Sequence, residues 1–260
     1  MTLYFDTHAH YDDNAFSKDR DEILSSLPKK GVSLTVCPAS DMASAQVCVR
    51  LADAYPYVYA AVGVHPHDAE RVPAGWLAGL EALSYHPKVV AVGEIGLDYY
   101  YDRSPREVQQ DVFRSQMALA LKRCLPVIVH DREAHRDCLN VVRAYPGVTG
   151  VYHCYSGSLE DAKTLVNLGW MLSFTGAVTF KNARRALEVI GWLPMERIMI
   201  ETDSPYLTPE PFRGRRNDST YVYRVAEVIA QVKDLPVDEV ARITMENGKR
   251  FFHIDQNVET

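Results

Sequence analysis

Short apolar segments alternate with helical segments along the chain, and this alternation most constrains the fold. The predicted strands cover residues 3–5, 32–37, 57–62, 88–92, 126–129, 148–152, 171–174 and 197–200, and the predicted helices cover residues 17–29, 42–54, 74–85, 105–123, 132–144, 158–168, 182–190, 219–232 and 237–247. Continuous apolar strands separated by helices indicate a parallel sheet covered on its faces. Eight such units in 260 residues favour a single closed α/β barrel, the (β/α)8 TIM barrel, with its active site at the C-terminal ends of the strands. The runner-up is an open Rossmann-like sheet, but no G-x-G-x-x-G follows the first strand.

No linker or change of composition divides the chain, so we expect residues 1–260 to form one domain with a polar tail over 254–260. No apolar run approaches the roughly 20 residues of a membrane helix, and no signal peptide is evident, so we expect no membrane association. The five cysteines are odd in number and form no C-x-x-C pair, which is typical of reduced residues. We therefore expect a cytoplasmic protein.

The net charge of −6 argues against a protein that coats nucleic acid, because such proteins need a broad basic surface. It does not exclude an enzyme with a small cationic pocket, since bound divalent ions add positive charge that the sequence count omits.

Side chains that commonly bind metals follow the predicted strands. Glu94 lies between two glycines after the strand at 88–92, and Asp203 follows the strand at 197–200. Six of the nine histidines fall at strand C-terminal ends, namely His8, His10, His65, His67, His130 and His153. In a parallel barrel these ends share one face, and histidine with carboxylate suits zinc, manganese, nickel or cobalt. The pattern predicts a metal site of the kind that hydrolyses phosphoryl or amide bonds.

Each candidate also has an ordinary structural explanation. A single histidine such as His130 is more often a core or loop residue than a ligand, and Asp203 in a Thr-Asp-Ser-Pro sequence is also typical of a turn. His86, His135 and His253 fall in helical or tail segments, and we assign them structural positions. The joint occurrence of the candidates on several strand ends favours the metal site.

Seven motifs in this order resemble the TatD family of metal-dependent deoxyribonucleases, which are amidohydrolase-like TIM barrels. The motifs are Asp6-Thr7-His8-Ala9-His10, Gly63-Val64-His65-Pro66-His67, Gly93-Glu94-Ile95-Gly96-Leu97-Asp98-Tyr99, Pro126-Val127-Ile128-Val129-His130, His153-Cys154-Tyr155-Ser156-Gly157, Glu201-Thr202-Asp203-Ser204-Pro205-Tyr206-Leu207 and Arg213-Gly214-Arg215-Arg216-Asn217. They extend from the first strand to beyond the last, so the resemblance covers essentially the whole chain.

The resemblance implies two divalent metal ions, which would be zinc, manganese or magnesium. One ion would be held by His8, His10, Glu94 and Asp203, and the other by Glu94, His130 and His153, with Glu94 as the bridge. The implied catalytic residues are Asp203 and Glu94, with Asp203 orienting the water that the metals activate or accepting its proton. The implied activity is hydrolysis of phosphodiester bonds at the ends of single-stranded DNA, as a 3′→5′ exonuclease.

We expect five residues to contact the substrate: His65, His67, Tyr155, Arg215 and Asn217. The two histidines are placed to hydrogen-bond a phosphate, and the arginine and asparagine lie within the matched motif. Arg213 and Arg216 of the same loop fit either a phosphate contact or a solvated turn. Tyr99 to Tyr101, Tyr155 and Tyr206 fit either base stacking or packing at the rim of the barrel.

The chain departs from the family pattern after Asn217, where Asp218-Ser219 replaces the usual Glu-Pro. We expect this change to alter the stiffness of the loop and its substrate contacts, without affecting the metal ligands.

Two other functions are compatible with the sequence. The same metal site suits an esterase or amidohydrolase, such as a D-aminoacyl-tRNA deacylase, because similar sites serve several hydrolyses. A binding protein on an inactive barrel is the third possibility, but it predicts lost ligands, and every expected ligand type is present.

Overall fold

The structure, a computed structural model, describes residues 2–254. Strands and helices alternate along this range, with the bounds β1 Tyr4–Asp6, α1 Arg20–Ser26, β2 Val32–Pro38, α2 Met42–Ala54, β3 Val58–Val62, α3 Trp76–Leu83, β4 Val89–Asp98, α4 Arg106–Arg123, β5 Val127–Arg132, α5 His135–Arg143, β6 Gly150–Tyr152, α6 Leu159–Asn167, β7 Met171–Phe174, α7 Arg184–Trp192, β8 Ile198–Ile200, α8 Val222–Lys233 and α9 Val237–Phe251. Short 3₁₀ turns cover Asn14–Phe16, Pro28–Lys30, Pro66–Arg71, Gly176–Thr179, Met195–Arg197 and Ser219–Tyr221.

The eight strands form one parallel sheet in the order of the sequence, from β1 to β8. The first and last strands also meet, because the Thr7 N–H donates to the Ile200 carbonyl at 3.2 Å. Ala9 and Ser204 form a parallel bridge just beyond these strands. The predicted (β/α)8 barrel is therefore confirmed.

Two apolar layers hold the barrel together. One layer fills the space between the strands and the surrounding helices. The other is built largely from alternating strand positions, and it comprises Phe5, Leu34, Val36, Ala61, Val90, Ala91, Ile128, Val151, Met171, Met199, Phe252 and Ile254. Because alternate residues of a strand point to opposite faces, this second layer is the interior of the barrel.

Several boundaries differ from those that the sequence predicts, and three of them have a clear local cause or position a side chain of interest. The helix expected over 17–29 is shorter, because Pro28 cannot continue α1 and starts a 3₁₀ turn instead. Ser104 does not cap α4. Its hydroxyl donates to the His67 carbonyl at 3.1 Å, and Pro105 takes the N-cap position without a side-chain hydrogen bond. Strand β4 continues past Glu94 to Asp98, so that glutamate lies within the strand and not beyond its end.

Ile254, the first residue of the expected polar tail, instead packs into the core. Ile254 is 6% exposed, and its N–H donates to the Lys249 carbonyl at 2.9 Å. Residues 255–260 lie outside the described range. Among the described helices, none combines the length and the apolar character that crossing a membrane requires.

Gly150 provides a test of packing at the start of β6. A Cβ at this position would lie 2.2 Å from a ring carbon of Trp170 and 2.7 Å from a methyl of Val127. We expect Gly150→Ala to lower the free energy of unfolding by about 1–3 kcal/mol, because a buried indole must move. Chemical denaturation measures this change.

The matched control is Gly191→Ala on the exposed side of α7, where the nearest atom lies 3.8 Å from the added methyl. This substitution should leave stability unchanged or raise it by up to about 1 kcal/mol, because alanine favours a helix. Equal effects of the two substitutions would contradict the packing described here.

Candidate metal centre

Glu94 lies at the centre of the site, where the pairing of β4 is interrupted. The register of β4 against β5 shifts between Val92 and Ile95, and the Glu94 N–H donates to the Ala39 carbonyl at 2.9 Å. The Glu94 side chain is 3% exposed, and its two oxygens face different histidines. A carboxylate buried this deeply is costly unless positive charge compensates it.

Four candidate ligand atoms gather on one side of Glu94. Its Oε2 lies 3.3 Å from His8 Nε2 and 3.4 Å from His10 Nε2. Asp203 Oδ1 lies 3.7 Å and 3.5 Å from the same two nitrogens, which are 3.1 Å apart. A tetrahedral ion with ligand bonds of about 2.0–2.1 Å separates its ligand atoms by about 3.3 Å. These five distances therefore match the size of a tetrahedral metal site.

A second group of atoms faces the other oxygen of Glu94. Glu94 Oε1 lies 2.8 Å from His130 Nδ1 and 2.8 Å from His153 Nε2, and these nitrogens are 3.2 Å apart. His65 Nε2 lies 3.6 Å from the same oxygen. The glutamate thus stands between two groups of imidazoles.

Hydrogen bonds on the outer side of two imidazoles direct an unprotonated nitrogen toward Glu94. His10 Nδ1–H donates to the Pro38 carbonyl at 3.2 Å. His130 Nε2–H donates to Asp98 Oδ2 at 3.1 Å. Because these partners only accept hydrogen bonds, the opposite nitrogen of each neutral ring carries the lone pair. Such lone pairs face a carboxylate, and only a proton or a metal cation between them makes that arrangement favourable.

Glu201 lies behind the third imidazole, that of His153. Its Oε1 lies 3.3 Å from His153 Nδ1 and accepts the Cys154 N–H at 2.7 Å. Its Oε2 accepts the Ser173 hydroxyl at 2.5 Å. A carboxylate behind the ring is typical of histidines that bind metals, because it fixes the tautomer and the orientation of the ring.

The pKa shifts show that the centre favours positive charge. Burial raises the pKa of Glu94, but the neighbouring histidines, His153 foremost, outweigh burial and hold that pKa well below its ordinary value. Burial likewise opposes the lowered pKa of Asp203, where the hydrogen bond from His10 prevails. Three of the imidazoles respond in the opposite sense. Burial lowers the pKa values of His10, His130 and His153, yet the nearby carboxylates raise all three above the ordinary value.

A divalent cation supplies the same positive charge without protonating the imidazoles. The clustered imidazole nitrogens and carboxylate oxygens therefore fit divalent metal binding.

His65 and His67 occupy different roles at the edge of the centre. His65 Nδ1 accepts the His67 N–H at 3.1 Å, so Nε2 carries the proton of the neutral ring. Burial and the nearby charge of His130 hold the pKa of His65 well below its ordinary value, which keeps this ring neutral. Its Nε2–H is a donor directed to the site. His67 Nε2–H instead donates to Asp98 Oδ2 at 2.9 Å.

Two of the residues predicted to contact substrate are buried in the structure. Asn217 is fully buried, and its amide donates to the Thr202 carbonyl at 2.9 Å and to the Tyr206 carbonyl at 2.6 Å. Tyr155 is 6% exposed, and its hydroxyl donates to the Ser158 carbonyl at 2.6 Å. The polar groups of both residues hold the protein's own loops, and their contacts with substrate stay a prediction.

The arginines of the loop after β8 divide into two groups. Arg216 forms an ion pair with Asp19 at 2.6 Å, and the guanidinium of Arg213 lies over the Phe180 ring at 4.1 Å. Arg215 is exposed on the same loop, so its predicted contact with substrate stays a prediction.

The departure from the family pattern after Asn217 lies in a turn that is held by its own hydrogen bonds. Asp218 caps this turn by accepting the Thr220 N–H at 2.8 Å. Ser219 Oγ accepts the Tyr11 hydroxyl at 2.7 Å. Both side chains are engaged within the turn and its base, so the change leaves the metal-facing residues untouched.

Sequence reasoning assigned no role to Asp98 or Glu201, although each lies against an imidazole that faces Glu94. The available signal was positional, because both carboxylates lie at or just after a strand C-terminus, as the ligand candidates do. Asp6 is a third carboxylate at the C-terminal end of a strand, β1. Its carboxylate accepts the Thr202 N–H at 2.8 Å and the Thr202 hydroxyl at 2.6 Å, and burial raises the pKa of Asp6 to about 7.

Comparison with known proteins agrees with the geometry. The model of the TatD related DNase family matches residues 5–253. The chain is 42% identical to the uncharacterized metal-dependent hydrolase YabD of Bacillus subtilis over 255 residues, covering 97% of this chain and 100% of YabD. It is 36% identical to the uncharacterized metal-dependent hydrolase TatD of Mycobacterium tuberculosis, covering 95% of this chain and 97% of that protein.

A solved structure shows the same fold. The crystal structure of YjjV, a TatD homologue from Escherichia coli K12, superimposes with a TM-score of 0.91 at 32% identity, and the match covers 97% of this chain and 98% of YjjV. With the barrel, the histidine and carboxylate cluster and these relatives in agreement, the chain belongs to the TatD family and is a metal-dependent hydrolase.

Proposed function

We propose that the protein is a deoxyribonuclease that uses two divalent metal ions to hydrolyse phosphodiester bonds at the 3′ ends of single-stranded DNA. The observation that carries the two-ion proposal is the placement of Glu94, whose two oxygens face two separate groups of imidazoles. The family's description as related to DNases supports the choice of DNA as substrate. The 3′→5′ polarity and the preference for single strands rest on the resemblance of the motifs.

Each ion would have its own ligands. His8, His10 and Asp203 would hold one ion with Glu94 Oε2, and His130 and His153 would hold the other with Glu94 Oε1. The imidazole-rich ligand set favours zinc or manganese over magnesium. Divalent cations at such a centre supply positive charge that polarises a phosphoryl oxygen and lowers the pKa of water.

The chain's own residues would position the substrate and transfer the proton. His65 Nε2–H is a neutral donor in reach of a phosphoryl oxygen beside Glu94. Asp203 is 15% exposed and its pKa is lowered, so it is an ionised group that can accept a proton from the attacking water. His67 would act indirectly, because its Nε2–H is engaged by Asp98.

We also propose that Arg215 binds a phosphate of the DNA strand, because its guanidinium is exposed on the loop that follows Asp203. The cytoplasmic location stays a prediction from the sequence.

The predicted substrate can be tested with Asp203→Asn. Replacing the carboxylate with an amide keeps the shape but removes the proton acceptor and a charged ligand of the proposed ion, so we expect the rate of DNA hydrolysis to fall by about 10²- to 10⁴-fold. The assay uses single-stranded DNA labelled at its 5′ end, on which a 3′→5′ exonuclease produces a ladder of shortened products.

The same preparation is assayed on D-aminoacyl-tRNA. Rapid deacylation without DNA hydrolysis would contradict the nuclease proposal and favour the deacylase alternative. Equal rates for single-stranded and duplex DNA would contradict the preference for single-stranded ends.

The two-ion proposal predicts the metal content of Glu94→Gln. The substitution removes the one carboxylate shared by both groups of imidazoles, so we expect the metal content to fall from about two ions per chain to well below one. Inductively coupled plasma mass spectrometry of the purified protein measures the number of metal ions per chain.

Glu160→Gln is the matched control, because the Glu160 side chain is 79% exposed in α6 and should leave the metal content unchanged. Retention of both ions by Glu94→Gln would contradict the bridging role.

A further inference from the structure

A cluster of exposed tyrosines and arginines borders the metal centre. Tyr100 and Tyr101 are 59% and 49% exposed, and their rings meet edge to face at 5.0 Å. The Arg132 guanidinium lies 4.3 Å from the centre of the first ring and 4.7 Å from the centre of the second. Arg103 lies 5.3 Å from the Tyr101 ring. These four residues are called the tyrosine–arginine platform below.

The platform is joined to the centre by Asp98. Asp98 Oδ1 accepts the N–H groups of Tyr100 at 3.1 Å and Tyr101 at 2.8 Å, while Oδ2 accepts from His67 and His130. The Tyr101 ring also lies 5.4 Å from the His67 ring, at a steep angle of 86°. A single residue, Asp98, therefore links the platform to His130, whose ring faces Glu94.

Within the described part of the chain, the two guanidinium groups of the platform are not neutralised by a neighbouring carboxylate, so they can pair with a ligand. Neither Arg103 nor Arg132 forms an ion pair with a carboxylate of residues 2–254. Some other surface arginines do form ion pairs, as Arg242 does with Glu239 and Glu246. In a protein with a net charge of −6, Arg103 and Arg132 place positive charge beside exposed aromatic rings at the edge of the centre.

Single-stranded nucleic acid matches this surface in both of its parts. Its bases have flat faces that stack on tyrosine rings, and its phosphates pair with guanidinium groups. A base within a duplex is already stacked on its neighbours and presents no free face to these rings. A partner protein with an apolar helix would pack against the rings but would leave both guanidinium groups unpaired.

We infer that the tyrosine–arginine platform is a base-stacking subsite for the nucleotides next to the phosphodiester bond at the metal centre. This inference rests on the proposed function, because it assigns the nucleotide-binding part of the same site. It implies that binding strength grows once the strand is long enough to reach Tyr100 and Tyr101, and that the base identity matters little.

The test measures binding and does not depend on turnover. A short fluorescein-labelled single strand with phosphorothioate linkages, which resist hydrolysis, is titrated with the metal-loaded protein while fluorescence anisotropy is recorded. We expect the double variant Tyr100→Leu/Tyr101→Leu to raise Kd by about tenfold or more, because two stacking rings are lost. Arg132→Gln should raise Kd and weaken its dependence on salt concentration.

Tyr85→Leu is the matched control. Tyr85 is 61% exposed and lies under the Arg123 guanidinium at 3.4 Å, so it forms the same kind of pair. It follows α3, before β4 begins, and thus lies at the opposite end of the barrel. We expect no change in Kd for this variant. The conservative variant Tyr100→Phe/Tyr101→Phe keeps both rings and should bind as the original protein does.

A second readout separates the platform from the metal centre. In the leucine double variant, kcat/KM should fall more for the DNA strand than for methyl 4-nitrophenyl phosphate, which has no nucleobase. An equal fall with both substrates would overturn the inference, since the rings would then act only through Asp98 and the metal-facing imidazoles. Unchanged Kd in the leucine double variant would also overturn it, as would failure of the original protein to bind the strand.

The outcomes for the subsite and for the proposed function are distinct. Binding that depends on the platform, without cleavage of natural DNA, would support the subsite and contradict the nuclease. Cleavage of DNA, with a Kd that is unchanged in the platform variants, would support the nuclease and contradict the subsite.

Discussion

The negative charge of Glu94, buried among imidazoles, is the interaction on which the site depends. A lone carboxylate in this position would be unstable, and the lowered pKa of Glu94 shows that it stays ionised because positive charge surrounds it. The imidazoles that provide this charge come from the segment after β1, from β5 and from the segment after β6. The barrel is thus shaped so that distant strand ends converge on one carboxylate, and divalent cations provide the most direct way to satisfy all of these groups together.

A second set of carboxylates lies on the far side of the imidazoles from Glu94. Asp98 accepts hydrogen bonds from His67 and His130, and Glu201 Oε1 lies 3.3 Å from His153 Nδ1. The bond to Asp98 selects the His130 tautomer in which the unprotonated Nδ1 faces Glu94. Burial of these carboxylates is tolerated because each accepts several hydrogen bonds. The site therefore has a second layer of charge that holds the first in a fixed geometry, and this rigidity favours a well-defined coordination.

Sequence patterns predicted the barrel and the convergence of its polar strand ends, because a parallel barrel places every strand C-terminus on one face. They did not reveal which side chains face inward. Asn217 and Tyr155 lie within matched motifs, yet their polar groups are bonded to backbone carbonyls, and only three-dimensional packing decides that outcome. The sequence also did not predict that β4 continues through Glu94, because Gly93 and Gly96 are typical of the end of a strand.

Closure of the barrel has a consequence for the order in which the protein is made. The Asp203 N–H donates to the His8 carbonyl at 2.9 Å, so the first and last strands build the same half of the centre. During synthesis on the ribosome, a chain that has emerged only through β7 has the first two imidazoles beside β2, but it lacks β8 and Asp203 on their other side. In the proposed site, stable capture of a cation by His8 and His10 would require β8 to dock, and such capture would mark the closed barrel.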